Sequence, residues 1–173
     1  MRRNVWQRLA RIARHRWWDE RDAARALPPA ALQRIEALVG GSERGHSGEI
    51  RVVIEAGLPL SYLWKDLSAR DRAITLFGEL RVWDTEANNG VLIYLLLAEH
   101  AIEIVADRGI DRHVDAAQWR ALIDPMRAAF RAGRFGDGLG EAIQTIDGLL
   151  RTHFPVAPGE ANPNELPDRP LVQ

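Results

Sequence analysis

One short run constrains the fold more than any other stretch: Val91 to Ala98, VLIYLLLA, is apolar at every position. Strand pleating sends successive side chains to opposite faces. A strand apolar at both parities therefore needs cover on both sides, which places VLIYLLL at the centre of a sheet with helices above and below. Eight residues cannot cross a bilayer as a helix, which takes about 20. The following AIEIVAD is apolar on one face only and reads as a more peripheral strand. A turn at Ala98, Glu99 and His100 joins the two as a hairpin, with Val91 opposite Asp107 and Ile93 opposite Val105.

A third strand precedes them. In EIRVVIE, Ile50, Val52 and Ile54 share one face, and Arg51, Val53 and Glu55 the other. The helical period accounts for most of the rest. The first 25 residues read as one helix with Val5, Leu9, Ile12 and Arg16 on a stripe. Pro28 and Pro29 open a second helix that Gly40 and Gly41 close. Ser68 with Asp71 forms a capping box for a helix through Trp83, with Ala73, Leu76, Phe77, Leu80 and Trp83 turned inward. GLPLSYLWKDL reads as loop. Asp115 caps a helix that contains Pro125 and ends at Gly133, and a last helix buries Leu139, Ile143, Ile146 and Leu150. A right-handed crossover makes the first strand parallel to VLIYLLL. The expected fold is α/β: a three-layer α/β/α sandwich with a small mixed β-sheet, plus N-terminal helices. It divides into an Arg- and Trp-rich helix (1–27), a core domain (28–155) and a proline-rich flexible tail (156–173).

Oxygen-bearing side chains crowd both ends of the hairpin. Asp84, Glu86, Asn88 and Asn89 precede it, and Asp107 and Asp111 follow it. Antiparallel pairing brings the two groups to one sheet edge, and a parallel first strand adds His46 to Glu49. Hard cations such as Ca²⁺ or Mg²⁺ take roughly six to eight oxygens from carboxylates, amides and carbonyls, so Asp84, Glu86, Asn88, Asn89, Asp107 and Asp111 form a candidate metal site. The structural alternative stays open: Asn-Gly is ordinary turn chemistry, Arg108 neutralises the acids, and Asp111 caps the next helix.

Composition removes other chemistries. Without cysteine there is no disulfide, thiolate metal site or thiol nucleophile. The five histidines show no HxH or HExxH spacing, which argues against zinc. GDGLG at 136–140 follows no strand and precedes no lysine, so close helix packing explains its glycines better than phosphate binding. No serine sits in a nucleophile elbow. Basic and aromatic residues do not interleave on a strand face, and nucleic acid is not expected as a partner. Residues 1–25 carry eight arginines against three acids, which suits a helix packed on its own domain or docked on a partner or surface. The N-terminus lacks the unbroken apolar core of a secretory signal, and no transmembrane segment is present, so a cytoplasmic location is expected.

The segment from Leu32 to Pro155 resembles the TPM domain family, which includes a thylakoid-lumen phosphatase-like protein of photosystem II repair. GEIRVVIE, NNGVLIYLLL and the EIVADRGI turn before a helix containing Trp119 carry the likeness. It implies an α/β/α sandwich and a divalent-cation site, usually calcium, at the acidic sheet edge. Glu49, the Asn88–Asn89–Gly90 turn and the turn around Gly109 fall on family positions, with Arg108 beside them. Where relatives carry a glycine-x-glycine turn, this chain has Asp107-Arg108-Gly109.

Two functions follow. One is a binding or regulatory module whose acidic edge takes a divalent cation or a protein partner, on family habit a membrane-associated relative. The other is a metal-assisted acid phosphatase acting on phosphomonoesters, with Asp107 or Asp111 as base and Arg108 steadying phosphate. The absence of a recognised nucleophile favours the module, and no organic cofactor is expected.

Overall fold

The structure, a computed structural model, describes residues 4–18, 20–157 and 163–173. Met1 to Arg3 and Asp19 of the expected N-terminal helix, and 158–162 of the expected tail, lie outside the described residues. Along the chain run α1 (Val5–Trp17), α2 (Glu20–Ala26), α3 (Pro29–Ser42), β1 (Ile50–Glu55), α4 (Leu60–Trp64), α5 (Ala69–Glu79), β2 (Val91–Leu96), β3 (Ala101–Ala106), α6 (Arg108–Asp111), α7 (Ala116–Arg131), α8 (Phe135–His153) and β4 (Leu171–Val172).

The sheet order is β3-β2-β1-β4. β2 is parallel to β1 and antiparallel to β3, so the sheet is mixed. β2 is buried at all six positions, as its two-faced apolar sequence requires. Alternation along β1 and β2 divides the interior. Ile50, Val52, Ile54, Val91, Ile93 and Leu95 enter a larger core with Leu139, Ile143 and Ile146 of α8. Val53, Leu92, Tyr94 and Leu96 enter a smaller one with Leu63 of α4 and Leu76 of α5. Helices thus cover both faces, giving the three-layer α/β architecture.

Capping fixes where helices start. Ser68 accepts from the Asp71 amide at 3.2 Å, and Asp71 returns a bond to the Ser68 amide at 2.7 Å. Asp115 and Gln118 repeat the arrangement on α7. Among the described residues no helix is long and apolar enough to cross a membrane.

Several boundaries differ from the sequence expectation, each for a physical reason. The first helix is two, because Trp18 takes extended backbone. α3 runs through Gly40 and Gly41 to Ser42. A Cβ on Gly40 would strike the Asp168 carboxylate, so that glycine makes room for the C-terminal segment. GLPLSYLW contains a short helix, α4. α5 stops at Glu79, and Arg81 adopts a left-handed conformation (φ 54°), which resets the phase. Val82 is consequently buried, while Trp83, expected inward, is half exposed.

The proline-rich tail is the largest correction. Residues 163–173 are seated on the domain, and β4 adds a parallel strand to the edge of β1. Arg51, on the polar parity of β1, donates to the carbonyls of Pro167 at 2.8 Å and Arg169 at 2.6 Å. Gln173 exchanges backbone bonds with Ile54 and Ala56, both at 2.9 Å. Nearby, Arg72 donates to Glu55 through Nε at 3.2 Å and Nη2 at 2.9 Å, and the Tyr94 hydroxyl donates to the same carboxylate at 2.6 Å. Burial, reinforced by that carboxylate, pushes the Tyr94 hydroxyl pKa up.

Candidate functional site

Three loops meet at the open end of the hairpin. The first, 46–49, enters β1; the second, 84–90, enters β2; the third, 107–111, leaves β3. Backbone bonds join them. Val91 donates to the Glu49 carbonyl at 2.8 Å, Asp107 to the Gly90 carbonyl at 2.9 Å, and Gly109 to the Asn88 carbonyl at 2.9 Å. Two glycines allow this approach: a Cβ on Gly90 would strike the Val82 carbonyl, and one on Gly109 the carbonyls of Asn88 and Ala87. Asn88 turns the chain in the left-handed region (φ 52°), which asparagine tolerates better than most residues.

The hairpin register is one residue tighter than expected. Val91 pairs with Ala106 and Ile93 with Ile104. The connection is a 3₁₀ turn over Leu97–Glu99 with His100 left-handed (φ 48°), and its centre falls between residues instead of on Glu99. Asp107 therefore stands opposite Gly90, at the mouth itself.

Two side chains there are buried with an oxygen left over. Asn89 is fully buried; its Nδ2 donates to Ser47 Oγ at 3.1 Å and its amide to Thr85 Oγ1 at 3.0 Å. Asp107 is 5% exposed, and its Oδ1 accepts the Arg108 amide at 2.7 Å as the N-cap of α6. Asn89 Oδ1 and Asp107 Oδ2 receive no hydrogen bond from the described residues. A buried acceptor without a donor costs roughly 1–3 kcal/mol, more when charged.

The remaining expected ligands divide. Asp84, Glu86, Asn88 and Asp111 are exposed around the mouth. Asp111 does not cap α7, since Asp115 does. Arg108 is exposed and forms no ion pair with these acids among the described residues. Glu49 departs: it is fully buried, but its carboxylate turns to the C-terminal segment and accepts the Leu166 amide at 3.1 Å. Among the described residues no three His, Asp or Glu side chains gather as a preformed cation cage.

With these loops in place, comparison with known proteins identifies the domain. A family model described as TPM domain matches residues 21–149. The chain belongs to the TPM domain family. The NMR structure of BA42 protein from the psychrophilic bacterium Bizionia argentinensis is similar at 27% identity and a TM-score of 0.74, over 85% of this chain and 95% of that one. A solution NMR structure of the N-terminal domain of a protein from P. gingivalis shares the fold at 20% identity and a TM-score of 0.58, over 74% of this chain and 78% of that one. No curated protein matches.

This TPM domain also holds a carboxylate group that its sequence concealed. Glu43 is buried, and its Oε1 accepts the Ile50 amide at 3.1 Å. Burial pushes its carboxyl up to about 8, the Ile50 amide opposing and Glu49 and Asp168 adding to the rise. Burial likewise raises Glu49, against the Leu166 and Glu165 amides. Glu43 is thus largely protonated at neutral pH and donates to Asp168. Glu165, which accepts the Glu86 amide at 3.5 Å, stands close by. Sequence separation hid the group: residues 43–49 and 165–168 meet only because the C-terminal segment folds back. The one available signal was Arg51 and Glu55 on a buried strand, which demanded partners from somewhere. His46 is buried too, directed toward Asp147 of α8 at 3.4 Å instead of the mouth.

Proposed function

We propose that this TPM domain is a binding module whose hairpin mouth takes a divalent cation, calcium or magnesium. The observation behind the reading is the pair of orphaned buried oxygens, Asn89 Oδ1 and Asp107 Oδ2, flanked by the exposed Asp84, Glu86, Asn88 and Asp111. The donors are all oxygen, the chemistry that hard cations prefer. With no preformed cage, the exposed acids would close on the ion as it arrives, and the charge brought to the mouth would then be available to a protein partner.

Thermal melting with and without millimolar Ca²⁺, Mg²⁺ or Mn²⁺ tests this. Saturation at 100 times Kd adds about 2.7 kcal/mol, which for a domain of this size raises the melting temperature by about 5–11 °C. Asp107→Asn should abolish the rise, because asparagine keeps the cap but loses the charge. No rise with any of the three ions overturns the proposal.

Arg108 supports a second reading. An exposed guanidinium that forms no ion pair among the described residues, on the same loop as Asp107 and Asp111, suits a phosphoryl oxygen, as a metal-assisted phosphatase acting on phosphomonoesters would need. Equal hydrolysis of an aryl phosphate by the wild type and an Asp107→Asn, Asp111→Asn variant would remove it.

A further inference from the structure

The helix α1 is mounted inside out. Its inner face carries Arg11 and His15, both buried, and both bonded to Glu99: Arg11 Nε donates at 2.6 Å and His15 Nε2 at 2.9 Å. His15 Nδ1 accepts the Leu58 amide at 3.0 Å, so the ring proton sits on Nε2. Arg8 bonds the Trp64 carbonyl of α4. The outer face is the apolar one. Trp6 is 80% exposed, Trp17 83% and Leu9 52%, with Ala10 and Ala13 exposed between them. At helical spacing, residues 6, 10, 13 and 17 form one straight stripe about 16 Å long. Rolling the helix to bury that stripe would tear Arg11 and His15 from Glu99. The tryptophans are therefore held outward by the fold.

Charge says what meets them. α1 carries four arginines and no acid. Arg14 and Arg16 are exposed on either flank of the stripe, and Lys65 is exposed beside Trp64, itself 72% exposed on the adjoining α4. Residues 1–25 sum to +5 while the rest of the chain sums to −6. A low apolar ridge with a tryptophan at each end and cations on both sides matches the interfacial zone of an anionic bilayer. There the indole rings enter the headgroup layer and the guanidinium groups meet lipid phosphate. A protein groove would be expected to select relief; the two alanines at the middle of the stripe give none. We propose that α1, with the adjoining end of α4, docks this domain flat on an anionic membrane surface, independently of whatever the hairpin mouth binds.

The test is cosedimentation of the full chain with phosphatidylglycerol-containing vesicles and with pure phosphatidylcholine vesicles. Binding is expected to the first, weakly to the second, and to weaken as salt rises. Trp6→Ser with Trp17→Ser should lower affinity by about tenfold or more while leaving the melting temperature in place, since both side chains are already in water. Arg14→Gln with Arg16→Gln should lower it by about fivefold per charge, the equivalent of ~1 kcal/mol each, and supplies the test should the tryptophan variant misfold. Equal partition onto the two vesicle types overturns the proposal, as does unchanged binding by either variant. A chain that ignores vesicles but forms dimers, which the tryptophan variant returns to monomers, also overturns it and makes the stripe a self-interface.

Discussion

Glu99 at the closed end of the β2–β3 hairpin and Asp107 at its open end are both withdrawn from water in large part, and they are treated in opposite ways. At the closed end, Glu99 receives two donors from α1. Burial alone would raise its pKa, but the bonds from His15 and Arg11 outweigh it and hold the carboxyl down to about 2. At the open end, Asp107 receives one backbone amide and keeps a buried oxygen that no described residue satisfies. The same chemical group is structural where the chain supplies the countercharge and becomes a candidate site where it does not. Composition cannot make that distinction, because both are acids next to an apolar strand.

The largest expected effect lies at the closed end. Glu99→Gln removes the nearer of the two carboxylates facing buried Arg11, leaving only Asp66 at 3.5 Å, and should cost about 3 kcal/mol, measured by urea denaturation. A loss under about 1 kcal/mol would mean that Glu99 is no more structural than Asp107.

The pH profile tests the contrast between Glu99 and the cluster near the open end. Glu99 releases its proton near 2 when folded and near 4.5 when unfolded, so it contributes stability above 4.5 that is lost as pH falls toward 2. Glu43 has the opposite sign. It holds its proton up to about 8 when folded but only to about 4.5 when unfolded, so its contribution is complete below 4.5 and drains as pH rises to about 8. Stability should therefore fall by roughly 2–4 kcal/mol across that upper window, and Glu43→Gln should flatten the slope. An unchanged slope in that variant would place the proton elsewhere.

At the mouth, Asp107→Asn should be at least as stable as wild type in the absence of divalent ions, since it replaces a buried carboxyl with a neutral amide that keeps the cap. It should be less stable than wild type by about 2–3 kcal/mol when Ca²⁺ saturates the latter. Equal behaviour in both conditions would make Asp107 a cap and nothing more. The smallest effect belongs to the turn. Asn88→Gly should change stability by less than about 1 kcal/mol, because glycine accepts the left-handed backbone freely. If the cation response also survives, the Asn88 side chain is not a ligand.

The strands and the hairpin were legible because period-two alternation is a local signal, and β2 declared its two-sided burial outright. Capping boxes at Ser68 and Asp115 were legible for the same reason, each being written within four residues. What escaped depended on distant chain. Gly40 reads as a helix stop until Asp168 arrives beside it. Leu171 and Val172 read as tail until the edge of β1 receives them. The Glu43 cluster needs both events together. Of the candidate site, the meeting of Asn89, Gly90 and Asp107 followed from strand pairing. That Glu49 turns away, and that Arg108 forms no ion pair with the acids among the described residues, are side-chain outcomes that no spacing encodes.

One bond at the mouth has a mechanical consequence. The Asn88 carbonyl receives the Gly109 amide, and a Cβ at Gly109 would strike that carbonyl. The second and third loops are thereby stapled, so a displacement imposed on one must be transmitted to its neighbour. An occupant touching only Asp107 would consequently register at Asn88 as well, and the Gly109 amide resonance is the place to watch for its arrival.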